Sequence, residues 1–352
     1  MYILLAIVLF GILIFVHELG HFMAAKLLGV RVNEFAICMG PAIWQKRVGE
    51  TTYSLRCIPV GGYCAMEGED EQSQDPRAFT SKAKWRQAII LVAGAFMNFV
   101  AGLLILVVLM SLGQSFATPV IASFYEGNQI EGEDGLQVGD EIYSIDGHRV
   151  YLYNDISMLL QRGGDLDYDL VVRRDGEKVA LNQFHMEPQT FLIDGKEQRL
   201  YGMTFSRVEK SLWQVLKNAW YTSIDFGRMV IWGLQDLVSG AVGLSDFSGP
   251  VGIVSAISET GKASDTVSHG VQNVFYIGAF LAINLAYMNM LPIPALDGGR
   301  VFFLIVTAVI EKLSRRKLNP KYEGYIHAVG MVALLGFMAV VPFSDIFKLV
   351  MG

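Results

Sequence analysis

His17-Glu18-Leu19-Gly20-His21 stands inside the apolar run from Tyr2 to Leu28, a segment long enough to cross about 30 Å of hydrocarbon. The reading of the whole chain turns on these five residues. On a helix, positions i and i+4 share a face, so His17 and His21 can present two imidazoles to one zinc ion, with Glu18 beside them as general base for a zinc-bound water. Two histidines and a carboxylate inside an apolar span are costly unless they are paired, metal-bound or turned to a polar cavity. An idle cluster at this depth is therefore disfavoured.

Such a zinc site needs a third protein ligand. Asn289-Met290-Leu291-Pro292-Ile293-Pro294-Ala295-Leu296-Asp297-Gly298-Gly299 offers Asp297. Two prolines and two glycines there must interrupt a helix within an apolar segment, and broken backbone at membrane depth is tolerated only beside protein or a polar cavity. Asp297 could instead pair with Arg300 or cap a half-helix. Asn98, Asn284 and Asn289 are further polar groups at membrane depth, suited to binding an oxyanion, holding unwound substrate or hydrogen-bonding between helices.

Working outward, the 352 residues are 52% hydrophobic with mean hydropathy +0.39, a composition that calls for several spans. The expected fold is a multi-span α-helical membrane protein with four transmembrane helices and an inserted mainly-β domain. The spans fall at 1–28, 87–112, 274–310 (which carries the Asp297 stretch) and 328–351. Residues 29–86 form a loop. Residues 114–207 form the β domain, punctuated by Gly139-Asp140, Asp146-Gly147 and Asp175-Gly176. Within 208–273, Leu212, Trp213, Leu216, Trp220 and Ile224 recur at helical spacing, predicting an amphipathic interfacial helix, although a helix packed on the soluble domain shows the same period.

Lys26, Arg31, Lys46, Arg47, Arg56, Lys82, Lys84 and Arg86 in the first loop, and Lys312, Arg315, Arg316 and Lys317 after the third span, place those loops in the cytoplasm. Both termini and the β domain then lie outside, and the histidines nearer the cytoplasmic face. The N-terminal run has no basic flank and reads as a retained span. Cys38, Cys57 and Cys64 fit neither a disulfide framework nor a zinc ribbon. A net charge of −6, with no continuous basic face, excludes nucleic acid as partner.

His17 to His21, Ala93-Gly94-Ala95-Phe96-Met97-Asn98-Phe99 and Asn289 to Gly299 together resemble the signatures of the site-2 protease family of intramembrane zinc metalloproteases. Within it the chain is most similar to the bacterial RseP type, which carries out regulated intramembrane proteolysis of anti-sigma factors. The resemblance implies zinc held by His17, His21 and Asp297, Glu18 as catalytic acid/base, and substrate handling by Asn284 and Asn289. Ile58-Pro59-Val60-Gly61-Gly62-Tyr63 resembles the family's membrane-associated β-hairpin, whose edge at Gly61 and Gly62 could pair with unwound substrate. Ser248-Gly249-Pro250-Val251-Gly252-Ile253 resembles another family signature.

Gly135 to Ile142, followed by Ile145-Asp146-Gly147, is similar to the core of bacterial PDZ domains, with Asn154 to Arg162 as the groove-lining helix. A PDZ groove takes an extended peptide by strand addition; the family also allows a screen by size for substrates already shortened by another protease. The chain has room for one PDZ domain where the best-known Gram-negative members of the family have two, and has Ala95 where the family often has proline. The expected function is zinc-dependent hydrolysis of single-pass membrane proteins, such as anti-sigma factors or remnant signal peptides, amid the lipid of a bacterial inner membrane. A zinc transporter would leave Glu18 without a role, and a membrane-anchored peptide-binding adaptor would leave the polar membrane cluster unexplained.

Overall fold

Apolar residues without a proline wind into α1 (Tyr2–Leu27), and the chain then reverses through β1 (Val32–Val48) and β2 (Thr51–Met66) into α2 (Lys84–Leu112). In the computed structural model, which describes residues 1–69, 73–164, 166–193, 196–242, 266–314 and the isolated positions 252, 257, 259–264, 330 and 332, the chain divides into two compact units. One unit is Met1–Leu109 with the described part of Phe226–Gly352; the other is Met110–Asp225.

In the first unit β1 and β2 are each folded back on themselves. Residues 34–37 lie between 62–65 on one side and 52–55 on the other, and 52–55 pair in turn with 44–47. Positive φ at Cys38, Gly40 and Gly61 makes the bends. The result is a four-segment sheet whose edge, residues 62–66, runs against α1. Phe35, Cys64 and Met66 from the sheet, Ala24 and Ala25 from α1, and Ile90 and Leu91 from α2 are buried in one core, which fixes the sheet and both helices around the motif. On the sheet, Arg56 bonds the Glu34 carboxylate at 2.7 Å and also meets the Tyr63 hydroxyl. Burial first, and then the Glu34 carboxylate, push the Tyr63 hydroxyl up to about 12.

The second unit holds β3 (Ser115–Phe124), β4 (Glu141–Ile145), β5 (His148–Arg149), α3 (Tyr153–Arg162), β6 (Asp167–Arg174), β7 (Glu177–His185), β8 (Gln189–Ile193), β9 (Lys196–Leu200) and β10 (Met203–Glu209). Its main sheet has the order β10-β3-β4-β6-β7, with β5 beside β4, while β8 and β9 pair as a separate hairpin. Alternation of buried Ile142, Leu170 and Val172 with less buried neighbours puts one face of this sheet under α3, where Ile156, Leu159 and Leu160 are buried. The Asp155 carboxylate accepts from the backbone N–H groups of Tyr151 and Leu152 and caps the helix start. Tyr168 closes the core by donating its hydroxyl to the Leu160 carbonyl at 2.8 Å.

Helix α4 (Leu212–Ser239) turns one apolar stripe outward, with Trp213 70% exposed and Leu212, Leu216 and Trp220 exposed as well, while its buried side mixes Val215, Ala219 and Phe226 with Asn218, Thr222, Ser223 and Asp225. Helix α5 (Val267–Asn289) begins earlier than position 274, because the Thr266 side chain accepts from the His269 N–H and caps it there. Helix α2 likewise starts at Lys84 rather than at 87. The segment expected as one span at 274–310 is two helices, α5 and α6 (Asp297–Ser314), parted by residues 290–296. Among the described residues three helices, α1, α2 and α5, are long and apolar enough to cross a membrane. Apart from Gly330 and Val332, the fourth expected span at 328–351 lies outside the described residues, as do Ser248 to Val251 and Ile253.

Candidate metal centre

The site begins with close approach of α1 and α2. A Cβ on Gly20 would strike the Ala93 carbonyl, and a Cβ on Gly94 would strike His21 and lie 2.8 Å from His17 Cε1. Only glycine at 94 leaves room for both imidazoles. The same face of α2 carries Ile90, Gly94 and Asn98 at intervals of four, opposite His17 and His21 at the same interval on α1. His21 donates from Nδ1 to the Ile90 carbonyl at 2.8 Å, a bond that leaves the lone pair on Nε2. Asn98, 1% exposed, brings its amide nitrogen to 3.4 Å from His17 Nδ1.

Asp297 arrives from the other side of the sequence. Pro292 and Pro294 end α5, and Ala295 takes φ +78, a left-handed conformation uncommon outside glycine, just before α6 starts at Asp297. A Cβ on Gly298 or Gly299 would collide with the backbone of Met290 or Ile293, so two glycines let α6 begin directly against the end of α5. Arg300 pairs with Glu69, not with Asp297. The Asp297 carboxylate is thereby turned to the histidines.

His17 Nε2 and His21 Nε2 are 3.2 Å apart, and Asp297 Oδ2 lies 3.2 Å from the first and 3.3 Å from the second. A tetrahedron with vertices about 2.0 Å from its centre, the usual zinc–nitrogen and zinc–oxygen distance, has edges of about 3.3 Å. The three donor atoms therefore already form one face of a zinc tetrahedron. Asp297 Oδ2 is buried without a hydrogen-bond partner among the described residues, a costly arrangement for a carboxylate that a cation would relieve. Among the described residues this is the only His/Cys/Asp/Glu group so arranged. The residues present thus fit a zinc ion.

The other candidates stand outside this triangle. Glu18, next to His17 on α1, faces the sheet edge: a Cβ on Gly62 would sit 3.5 Å from Glu18 Cγ and 3.0 Å from the Ala36 carbonyl. Gly61, at φ +83, packs on the Met39 side chain instead. Asn284 lies within α5 with its Oδ1 buried and unpartnered among the described residues, and Asn289 is the last residue of α5. Neither forms a hydrogen bond with the three clustered side chains among the described residues. The Ile90 carbonyl and Gly94 were missed as parts of the site. The four-residue stripe on α2, matching that of the histidines, was the available signal for both.

The chain is similar to known proteins over nearly its whole length. The model of peptidase family M50 matches residues 5–337. A protein of Clostridium perfringens named as a zinc metalloprotease is 34% identical over 348 residues, covering 98% of each chain. A similarly named protein of Campylobacter jejuni is 29% identical over 362 residues, covering 99% of this chain and 94% of its own. The Bacillus subtilis protein named regulator of sigma-W protease RasP is 27% identical over 425 residues, covering 97% of each. A membrane protein with this site falls in the class of zinc metalloproteases. The chain belongs to peptidase family M50, the site-2 proteases, and its cofactor is zinc.

Proposed function

We propose that this protease hydrolyses peptide bonds within or beside the transmembrane segment of single-pass membrane proteins, with His17, His21 and Asp297 as zinc ligands and Glu18 as general base. The observation that carries the reading is the triangle of donor atoms at 3.2 to 3.3 Å, two of them on α1, a helix apolar enough to span a bilayer. When bound, zinc would supply Lewis-acid polarisation of the scissile carbonyl and make the attacking water more acidic. Glu18 takes the proton from the attacking water and returns it to the leaving amine nitrogen. His17 and His21, held on one face of α1, keep the site fixed relative to Glu18, and the apolar shell limits entry of bulk water.

Amide bonds in an intact helix are shielded by their own hydrogen bonds, so substrate must unwind before attack. The sheet edge at 62–66 offers backbone groups for the unwound strand, and Gly62 brings that edge to Glu18 without an intervening side chain. Gly61 shapes the same edge. Asn284 and Asn289, at and before the break in α5, are assigned to holding the substrate backbone. The asymmetric distribution of lysine and arginine supports cytoplasmic loops after α1 and α6, with the β domain and termini outside and the cut nearer the cytoplasm of a bacterial inner membrane.

The domain at 114–207 is read as a PDZ domain that binds a peptide or the terminus of a pre-cleaved substrate, or that screens substrates by size; Gly135 to Ile142 supports this reading. The name of the Bacillus subtilis relative supports a regulatory substrate such as an anti-sigma factor, and remnant signal peptides offer the same single-span chemistry. The test is cleavage of a model single-pass substrate by purified protein, comparing wild type, Glu18→Gln and zinc-stripped enzyme. Wild-type activity should fall by about 10²- to 10⁴-fold in Glu18→Gln and return on adding zinc to stripped enzyme. Equal cleavage by Glu18→Gln would remove Glu18 from the mechanism.

A further inference from the structure

The two histidines of the triangle are supported from behind in different ways. A ring nitrogen that binds metal must carry a lone pair, so the ring proton has to sit on the other nitrogen and needs an acceptor. For His21 that acceptor is the Ile90 carbonyl at 2.8 Å from Nδ1. For His17 the group behind Nδ1 is the Asn98 side chain, with its amide nitrogen at 3.4 Å, while Asn98 Oδ1 is buried without a partner among the described residues. The two ends of an amide have nearly the same shape and exchange by a half-turn about the last side-chain torsion. Turning Asn98 over puts Oδ1 behind His17 and gives the orphaned acceptor a donor.

We infer that Asn98 is a positioning residue: its Oδ1 accepts a hydrogen bond from His17 Nδ1–H and holds the imidazole in the tautomer whose Nε2 lone pair points at His21 Nε2 and Asp297 Oδ2. Asn98 lies on the Nδ1 side of the ring, away from the triangle, and is 1% exposed. That place removes it from contact with substrate or an oxyanion. Ile90, Gly94 and Asn98, one stripe of α2, then have complementary tasks: a carbonyl for His21, space for both rings, and a carbonyl for His17.

The inference rests on the reading of His17 as a zinc ligand, and the test separates the two. Zinc affinity of the full chain in detergent is measured by competition with a chelator for wild type, Asn98→Leu, Asn98→Asp and His17→Ala. Asn98→Leu, which has no acceptor, should bind zinc about 10- to 100-fold more weakly. Asn98→Asp keeps both shape and acceptor and should stay within about threefold of wild type; it decides the matter even where Asn98→Leu does not fold. Wild-type affinity in Asn98→Leu, or equal loss in Asn98→Asp and Asn98→Leu, would overturn the role given to Asn98 while His17→Ala still loses zinc. Undiminished zinc binding by His17→Ala would overturn the ligand set, and the Asn98 inference with it.

Discussion

At Gly94 the missing side chain is the functional feature. The position a Cβ would take is filled by the imidazoles of His21 and His17, so the residue sets how closely α2 can back the histidine pair. Gly94→Ala should force the rings apart and cost about 1–3 kcal/mol of stability through overpacking, with zinc per chain falling below that of wild type on metal analysis. Full zinc loading in a stably folded Gly94→Ala protein would show that the rings have slack. That His17 and His21 meet was legible at this scale, because positions i and i+4 share a helix face. The Ile90 carbonyl was not, since a backbone acceptor leaves no trace in residue type, and Arg300 was weighed as a partner of Asp297 although it binds Glu69.

Among the elements, the break between α5 and α6 could be read in advance, because Pro292 and Pro294 cannot continue a helix. Its consequence, Asp297 as the first residue of a new helix aimed back at α1, depends on Gly298 and Gly299 clearing the backbone of Met290 and Ile293. The doubled-back register of β1 and β2 was not legible. Pairing of 34–37 on both sides depends on bends at Cys38, Gly40 and Gly61, and residue type alone does not say which glycine takes a positive φ. The edge this creates invites a direct check. Gly62→Val would push side-chain bulk toward Glu18 and the Ala36 carbonyl, and should lower cleavage by about tenfold, about 1.4 kcal/mol in barrier, with zinc content unchanged. Unaltered cleavage would argue against substrate pairing at that edge.

For the molecule as a whole, hydropathy separated apolar ends from a polar middle, and the two compact units follow that division. The outward stripe Leu212, Trp213, Leu216 and Trp220 of α4, opposite a buried side that mixes Val215 and Ala219 with Asn218 and Thr222, shows what periodicity leaves open: it gives a stripe but not which side meets protein. The β unit carries its own polar anchor. Asp140, fully buried, accepts two hydrogen bonds from Arg174 at 2.8 Å and a third from the Gln137 N–H at 2.9 Å. Residues 113–210 expressed without the membrane helices should therefore fold, and Asp140→Ala should cost them about 3–5 kcal/mol in denaturant unfolding by taking the carboxylate away from Arg174, which keeps only the Gly135 carbonyl. A loss below about 1 kcal/mol would put that pair among the ordinary surface bridges.

The measurement that tests the central claim most directly is the position of the cut. Products from a single-pass substrate co-reconstituted with the enzyme in proteoliposomes are mapped by mass spectrometry, with Glu18→Gln as control. Cleavage within or at the edge of the substrate's transmembrane segment, toward the cytoplasmic end and absent in Glu18→Gln, is the predicted result. Cuts confined to water-exposed loops far from the span would contradict an active site working at membrane depth.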